Sequence, residues 1–351
     1  MSWYVIDAVD RAFDRTKKCL LEPFDFWKWL KLAIIVMLIG GGGSSFNGGG
    51  NNYSASDSDV SGASDFFHEM FGGISFPDFS EPSMALIIAA AILFILLILV
   101  FAYISNVMEF VLVESLVSND VRFWEYSRRY LGKGLNLFLF RFIIGLIILI
   151  PIILVTVPLA FIAFADTSTQ PTFTSMMALL LILIPLILLL VILSAIIQSF
   201  VNLSIPVSIY TEMGIFASFK TILRRFKADW QQILIYWLGR IVLAIAVGIL
   251  VAIVAIIAIV LLALLALIID GIIYFVLAAI LRETVVWIIL APLLFVQLLI
   301  FILLMMLISM PARVFMKYHM LSFLEQWYPE SHIPIFDIMY HTEDTSEHMQ
   351  I

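Results

Sequence analysis

IYTEMGIFASFKTILRRFKADWQQILIYWLGR, residues 209–240, decides the fold. Ile215, Phe216, Phe219, Ile222, Leu223, Phe226 and Trp230 recur at three- and four-residue spacing, while Lys220, Arg224 and Lys227 take the opposite face. That pattern predicts a helix lying in a membrane interface over 215–230, apolar face in the acyl boundary and cations at the headgroups. Apolar runs at 174–205 and 231–268 flank it. Its cations are one of four clusters that together hold 18 of the 19 Lys and Arg residues. The first is Arg11, Arg15, Lys17, Lys18, Lys28 and Lys31, and the second is Arg122, Arg128, Arg129, Lys133 and Arg141. The third is Lys220, Arg224, Arg225, Lys227 and Arg240, and the fourth is Arg313 and Lys317. Two apolar stretches separate each cluster from the next. Cationic loops stay cytoplasmic, so the chain is expected to cross out and back between clusters.

A crossing takes about 20 apolar residues for about 30 Å of hydrocarbon. Six runs qualify: 26–43, which is short, then 84–113, 136–165, 174–205, 231–268 and 284–311. The expected fold is therefore all-α and polytopic, six transmembrane helices arranged as three hairpins with amphipathic interfacial elbows. Both termini, 118–135 and 212–230 are expected in the cytoplasm, and 44–83, 166–174 and 270–283 outside. The fifth run is long for one perpendicular crossing, yet no Pro, Asn, Asp or Ser interrupts 241–268. After Asp270-Gly271, the apolar piece Ile272–Leu281 is too short to span and is expected as an external interfacial or re-entrant helix. The first apolar run is expected as a retained signal-anchor, since the first 25 residues are too polar for a cleavable signal peptide. Residues 1–330 form the membrane domain, with a flexible glycine-rich external loop at 40–83 and an acidic cytoplasmic tail at 331–351.

Composition agrees. The chain is 63% hydrophobic and 13% charged, against about a quarter charged for a soluble domain. The formal net charge of −7 arises from two acidic segments, 57–81 and the tail from Glu325 onward, so it does not describe the basic cytoplasmic loops. A nucleic-acid partner is not expected. The single cysteine, Cys19, excludes an intrachain disulfide and a thiol-based zinc site.

An internal repeat relates about 100–205 to 196–311. A gapless shift of 96 residues superposes Asn106 on Asn202, Val111 on Val207 and Phe123 on Phe219. It also superposes Arg128-Arg129-Tyr130 on Arg224-Arg225-Phe226, and Phe140 on Tyr236. Both copies are expected to run apolar span, amphipathic elbow, apolar span. The N-terminal segment is a looser elbow with Trp3, Ile6, Phe13 and Leu20 on one side, and Phe315–Tyr328 is a candidate fourth.

A span ending in Pro206, the Glu212-Met213-Gly214 turn, the Arg224-Arg225 pair and Trp230, followed by an apolar helix, resembles the membrane domain associated with some glycerophosphoryl diester phosphodiesterases and related stand-alone prokaryotic multi-pass proteins. The resemblance covers most of 100–320. It implies a helical membrane fold and no activity, because the soluble catalytic domain of such fusions is absent.

Ionisable residues in membrane spans are functional candidates by default. Glu109, Glu114, Arg141 and Arg240 form the candidate cytoplasmic charge cluster. They either snorkel and pair, or line a charged gate on a substrate path. Arg128, Arg129, Arg224 and Arg225 are the candidate lipid-headgroup contacts. Asn106, Gln198, Asn202 and Gln297 sit within spans and suit interhelical hydrogen bonding. His341, His348, Glu343, Asp344 and Glu347 share the tail, where a metal site is the lesser alternative to a solvated acidic segment, and no catalytic, cofactor-binding or metal site is expected. With span centres free of charge, the expected function is a non-enzymatic membrane module acting through membrane lipids and protein partners or a homo-oligomer. The alternative is a transporter or channel for a small or lipid-like solute. A packed bundle without a through-going aqueous pore is expected, with any cavity apolar and opening sideways toward lipid or toward the basic cytoplasmic face.

Overall fold

The computed structural model describes residues 4–41, 81–164, 173–281 and 283–337. Most of the 40–83 loop, part of the 166–174 connection and the tail beyond Asp337, with its histidines, lie outside the described residues. Among these residues eight α-helices follow in order: α1 Tyr4–Leu20, α2 Phe26–Gly41, α3 Glu81–Val117, α4 Phe123–Phe164, α5 Phe173–Tyr210, α6 Ile215–Ala228, α7 Trp230–Ala278 and α8 Glu283–Trp327. A short 3-10 turn, Pro329–Ser331, follows α8. There is no strand among the described residues.

Each boundary has a local cause. After α3 the chain turns at Asn119, φ 56°, a left-handed conformation that Asn tolerates. After α5 it turns at Glu212, also φ 56°, and Gly214 in extended conformation leads into α6. Asp229, φ −128° and ψ 49°, separates α6 from α7. The six prolines within α4, α5 and α8 do not end those helices. Neighbouring helices supply the lost backbone interactions in such bundles.

Five helices are long and apolar enough to cross a bilayer: Ile88–Val117, Phe123–Pro158, Leu183–Tyr210, Trp230–Ala278 and Val285–Trp327. The expected first span falls on α2, whose 16 residues reach only about 24 Å at about 1.5 Å per residue.

The packed core sits at one end of the long helices. It gathers the C-terminal turns of α3, α5 and α8 and the N-terminal turns of α4 and α7. Val111, Val207, Leu203, Leu137, Tyr236 and Phe323 belong to it. α1 lies along the end of α8, and α2 packs against both α3 and α8. The opposite halves of the long helices leave large apolar side chains uncovered, among them Leu93, Ile150, Leu188, Leu261 and Phe275. In water that surface would be untenable. In a bilayer it is the ordinary lipid-facing wall.

Three expectations are corrected. Residues 272–281 are not a separate external helix: α7 runs through Asp270-Gly271 to Ala278. Half-buried Asp270 ties α7 to α8, its Oδ1 accepting from Gln297 Nε2 at 2.8 Å. Phe315–Tyr328 is not a fourth elbow but the end of α8. Its aromatic residues are buried against α1 and α7, with Tyr236 and Phe323 stacked at 4.2 Å. α1 turns Val5, Ala8, Ala12, Arg15, Cys19 and Leu20 inward and leaves Ile6 and Phe13, of its expected apolar side, uncovered by protein at 63% exposure each. Small residues allow close approach of α1 to α8, and bulky ones could not. The first-copy elbow is not a separate element either. Its residues are the opening turns of α4, because nothing like Asp229 interrupts them.

Candidate functional site

Three helices meet at Arg141, on α4 where it leaves the core. Its NH1 donates to Asn106 Oδ1 at 2.7 Å, and its NH2 to Asn202 Oδ1 at 3.0 Å. Its NH1 also lies 2.9 Å from Glu109 Oε1. With the Gln198 carbonyl oxygen turned toward the guanidinium, that oxygen accepts from Nε at 3.0 Å and from NH2 at 2.7 Å. A guanidinium has five N–H groups, and these contacts engage them all. Asn106 and Asn202 are the residues superposed by the repeat, so one arginine is gripped by equivalent positions of both copies. The repeat reappears nearby: Tyr210 donates to Glu114 Oε2 at 3.0 Å across that same offset of 96.

Glu109 is buried and serves two cations. Its second oxygen lies 3.6 Å from Lys317 Nζ on α8 and has no hydrogen-bond partner among the described residues. The cluster therefore carries one carboxylate against Arg141 and Lys317. Arg240 stands beside it on α7, its NH1 donating to Tyr236 Oη at 2.6 Å. Tyr236 in turn stacks on the buried His319, centroids 5.8 Å apart.

The four residues expected to form one charge cluster are thus divided. Glu109 and Arg141 meet. Arg240 is adjacent, without a carboxylate partner among the described residues. Glu114 belongs to a separate group, with Arg129 at 3.7 Å and Tyr210. The four expected headgroup arginines divide too. Arg128 and Arg224 are exposed with no partner among the described residues. Arg129 is engaged by Glu114. Arg225 is engaged by Glu330 at 3.4 Å, with its guanidinium over the Tyr328 ring.

Two features escaped the sequence reading. One is Lys317, taken only as a marker of topology, which completes the Glu109 site. The other is a clasp between the chain's two ends. Buried Arg15 donates from Nε to Asp337 at 2.7 Å and from NH1 to Ser322 at 2.8 Å, and pairs with Glu325 at 2.9 Å. Burial works against its charge, but Asp337 and Glu325 more than offset this and hold it above the ordinary arginine range. No sequence spacing links Arg15 to Asp337.

A cleft of about 590 Å³ opens beside this cluster, between α2, α7 and α8. Its lining is apolar apart from Ser309 and Arg313. No group of three or more His, Cys, Asp or Glu suited to a metal occurs among the described residues.

Comparison with curated proteins and with solved structures finds no match. A family of unknown function, DUF7544, matches residues 3–333, and the chain belongs to that family.

Proposed function

We propose that this chain is a non-enzymatic integral membrane module that acts through contacts with lipids and with protein partners. The observation that carries the reading is the saturation of Arg141. The polar side chains that a hydrated path would need are spent on one another, joining α3, α4 and α5. A narrow apolar tube dewets, and beyond Arg141 the described shafts offer isolated polar groups such as the Asp270–Gln297 pair.

In this reading α2 joins the five long helices as a sixth, short span, and the hairpins are α2–α3, α4–α5 and α7–α8. The packed end faces the cytoplasm, with both termini, because all four basic clusters gather there. Kinship with the phosphodiesterase-associated membrane domain rests on the elbow pattern of α6 and its flanks.

Reconstitution tests the reading. Liposomes containing the purified protein should leak protons, potassium and small dyes no faster than protein-free liposomes. Protein-dependent flux of any of these would overturn the module reading. The second reading, movement of a lipid-like solute, is favoured by the sideways-opening cleft. Protein-dependent flip of a labelled phospholipid in the same liposomes would put it first.

A further inference from the structure

The cleft between α2, α7 and α8 runs along α8 from Phe301 to Arg313, about 18 Å at about 1.5 Å per residue. Val251, Ala255 and Ile259 of α7 form one wall, and Val36 and Met37 of α2 the other. Met37, Ile259 and Ile302 are exposed at its rim, so it opens sideways into the zone the lipids occupy. Its one charged residue is Arg313, at the end nearest the core.

Arg313 has no hydrogen-bond or ion-pair partner among the described residues. The neighbouring balance is uneven: Arg141 and Lys317 share one carboxylate, Glu109, and Arg313, four residues before Lys317 on α8, has none. A partly buried guanidinium without a counterion is costly at the membrane boundary. An anion on Arg313 removes that deficit. The cleft's length suits an acyl chain running from headgroup depth toward the bilayer centre, about 15 Å away in a hydrocarbon core of about 30 Å. Its volume lies within the range of about 300–1,000 Å³ usual for small-ligand sites.

We infer that this cleft is a binding site for an anionic phospholipid, its acyl chain along α7 and α8 and its phosphate on Arg313. The proposal deepens the lipid-contact reading above and rests on it. The two fail separately: a flux-inactive protein that retains no lipid would sink the site and leave the module reading standing.

The test is native mass spectrometry of the full chain, released from nanodiscs of equal phosphatidylglycerol and phosphatidylcholine. The wild type should retain phosphatidylglycerol in about tenfold preference, the factor that about 1.4 kcal/mol supplies. Arg313→Gln should erase the headgroup preference, because a bidentate phosphate contact is lost. Ala255→Phe should abolish retention by filling the cleft, and Ile259→Trp at the rim should do the same if Ala255→Phe fails to fold. Thermal melts report folding. Added inorganic phosphate should not displace the lipid; displacement would mean a free-anion site and overturn the assignment. Equal retention of the two lipids by the wild type, or retention unchanged in Arg313→Gln and the cleft-filling variants, would also overturn it.

Discussion

Arg141 is the residue on which the long helices converge, and its replacement separates strong from weak contributions. Removing it leaves Glu109 buried beside Lys317 and strands the carbonyl oxygens of Asn106, Gln198 and Asn202. Breaking a buried pair by deleting one partner costs about 3–5 kcal/mol, whereas a single interhelical hydrogen bond in a membrane averages about 0.6 kcal/mol. Arg141→Ala should therefore lower stability in detergent several times more than Asn202→Ala, as read by thermal or SDS unfolding. Equal losses would deny Arg141 its central place. The asparagines were legible beforehand, because the 96-residue offset superposed them and both stood in apolar runs. That they share one arginine was not legible. The offset relates α3 to α5, and Arg141 lies on neither.

Among the elements, the two repeat copies show what sequence periodicity conveys and what it omits. The α6 stripe was readable at three- and four-residue spacing, and Ile222 is indeed buried while Lys220 and Arg224 face outward. The first copy carries the same arginine pair but runs straight into its span. The difference lies in the break at Asp229, for which the first copy has no counterpart. α4 makes its close approach to α3 at Gly134, where a Cβ would lie 2.9 Å from the Cα of Val107. Gly132, two residues earlier, has open space around it. Gly134→Ala should destabilise by about 1–3 kcal/mol, as overpacking does. Gly132→Ala should be neutral or stabilising by up to about 1 kcal/mol. Paired denaturation curves check this, and the idea fails if the two alanines behave alike. The inward face of α1 was not legible, because its tight fit to α8 selects alanine and cysteine and leaves no bulky stripe to mark it.

For the whole molecule, the placement of charge was the most legible property. The four basic clusters, spread over some three hundred residues, assemble at one end, joined by pairs such as Lys28 with Asn119 and Arg225 with Glu330. The clasp of Arg15 to Asp337, linking residues 322 positions apart, could not be foreseen because it is purely tertiary. The orientation of that end is testable with little background, since Cys19 is buried. Cysteines introduced at the exposed positions Lys227, Glu330 and Ile280 should divide two to one. An impermeant maleimide applied to intact cells should label position 280 and spare 227 and 330. Labelling of 227 from outside, or opposite behaviour of 227 and 330, would reverse or break the topology.

The long helices end at different heights, and the surrounding lipids must accommodate this. From Arg240 to the end of α7 the apolar wall is about 57 Å tall, and from Arg141 to the end of α4 about 35 Å, at about 1.5 Å per residue. A bilayer answers such hydrophobic mismatch by helix tilt or by local thickening and thinning, at fractions of a kcal/mol per Å. Where tilt does not absorb the difference, lipids bordering α7 are stretched relative to those bordering α4, and thickness varies around the molecule. Such a difference in height makes the α7 flank the better neighbour for long-chain lipids and the α4 flank for short ones.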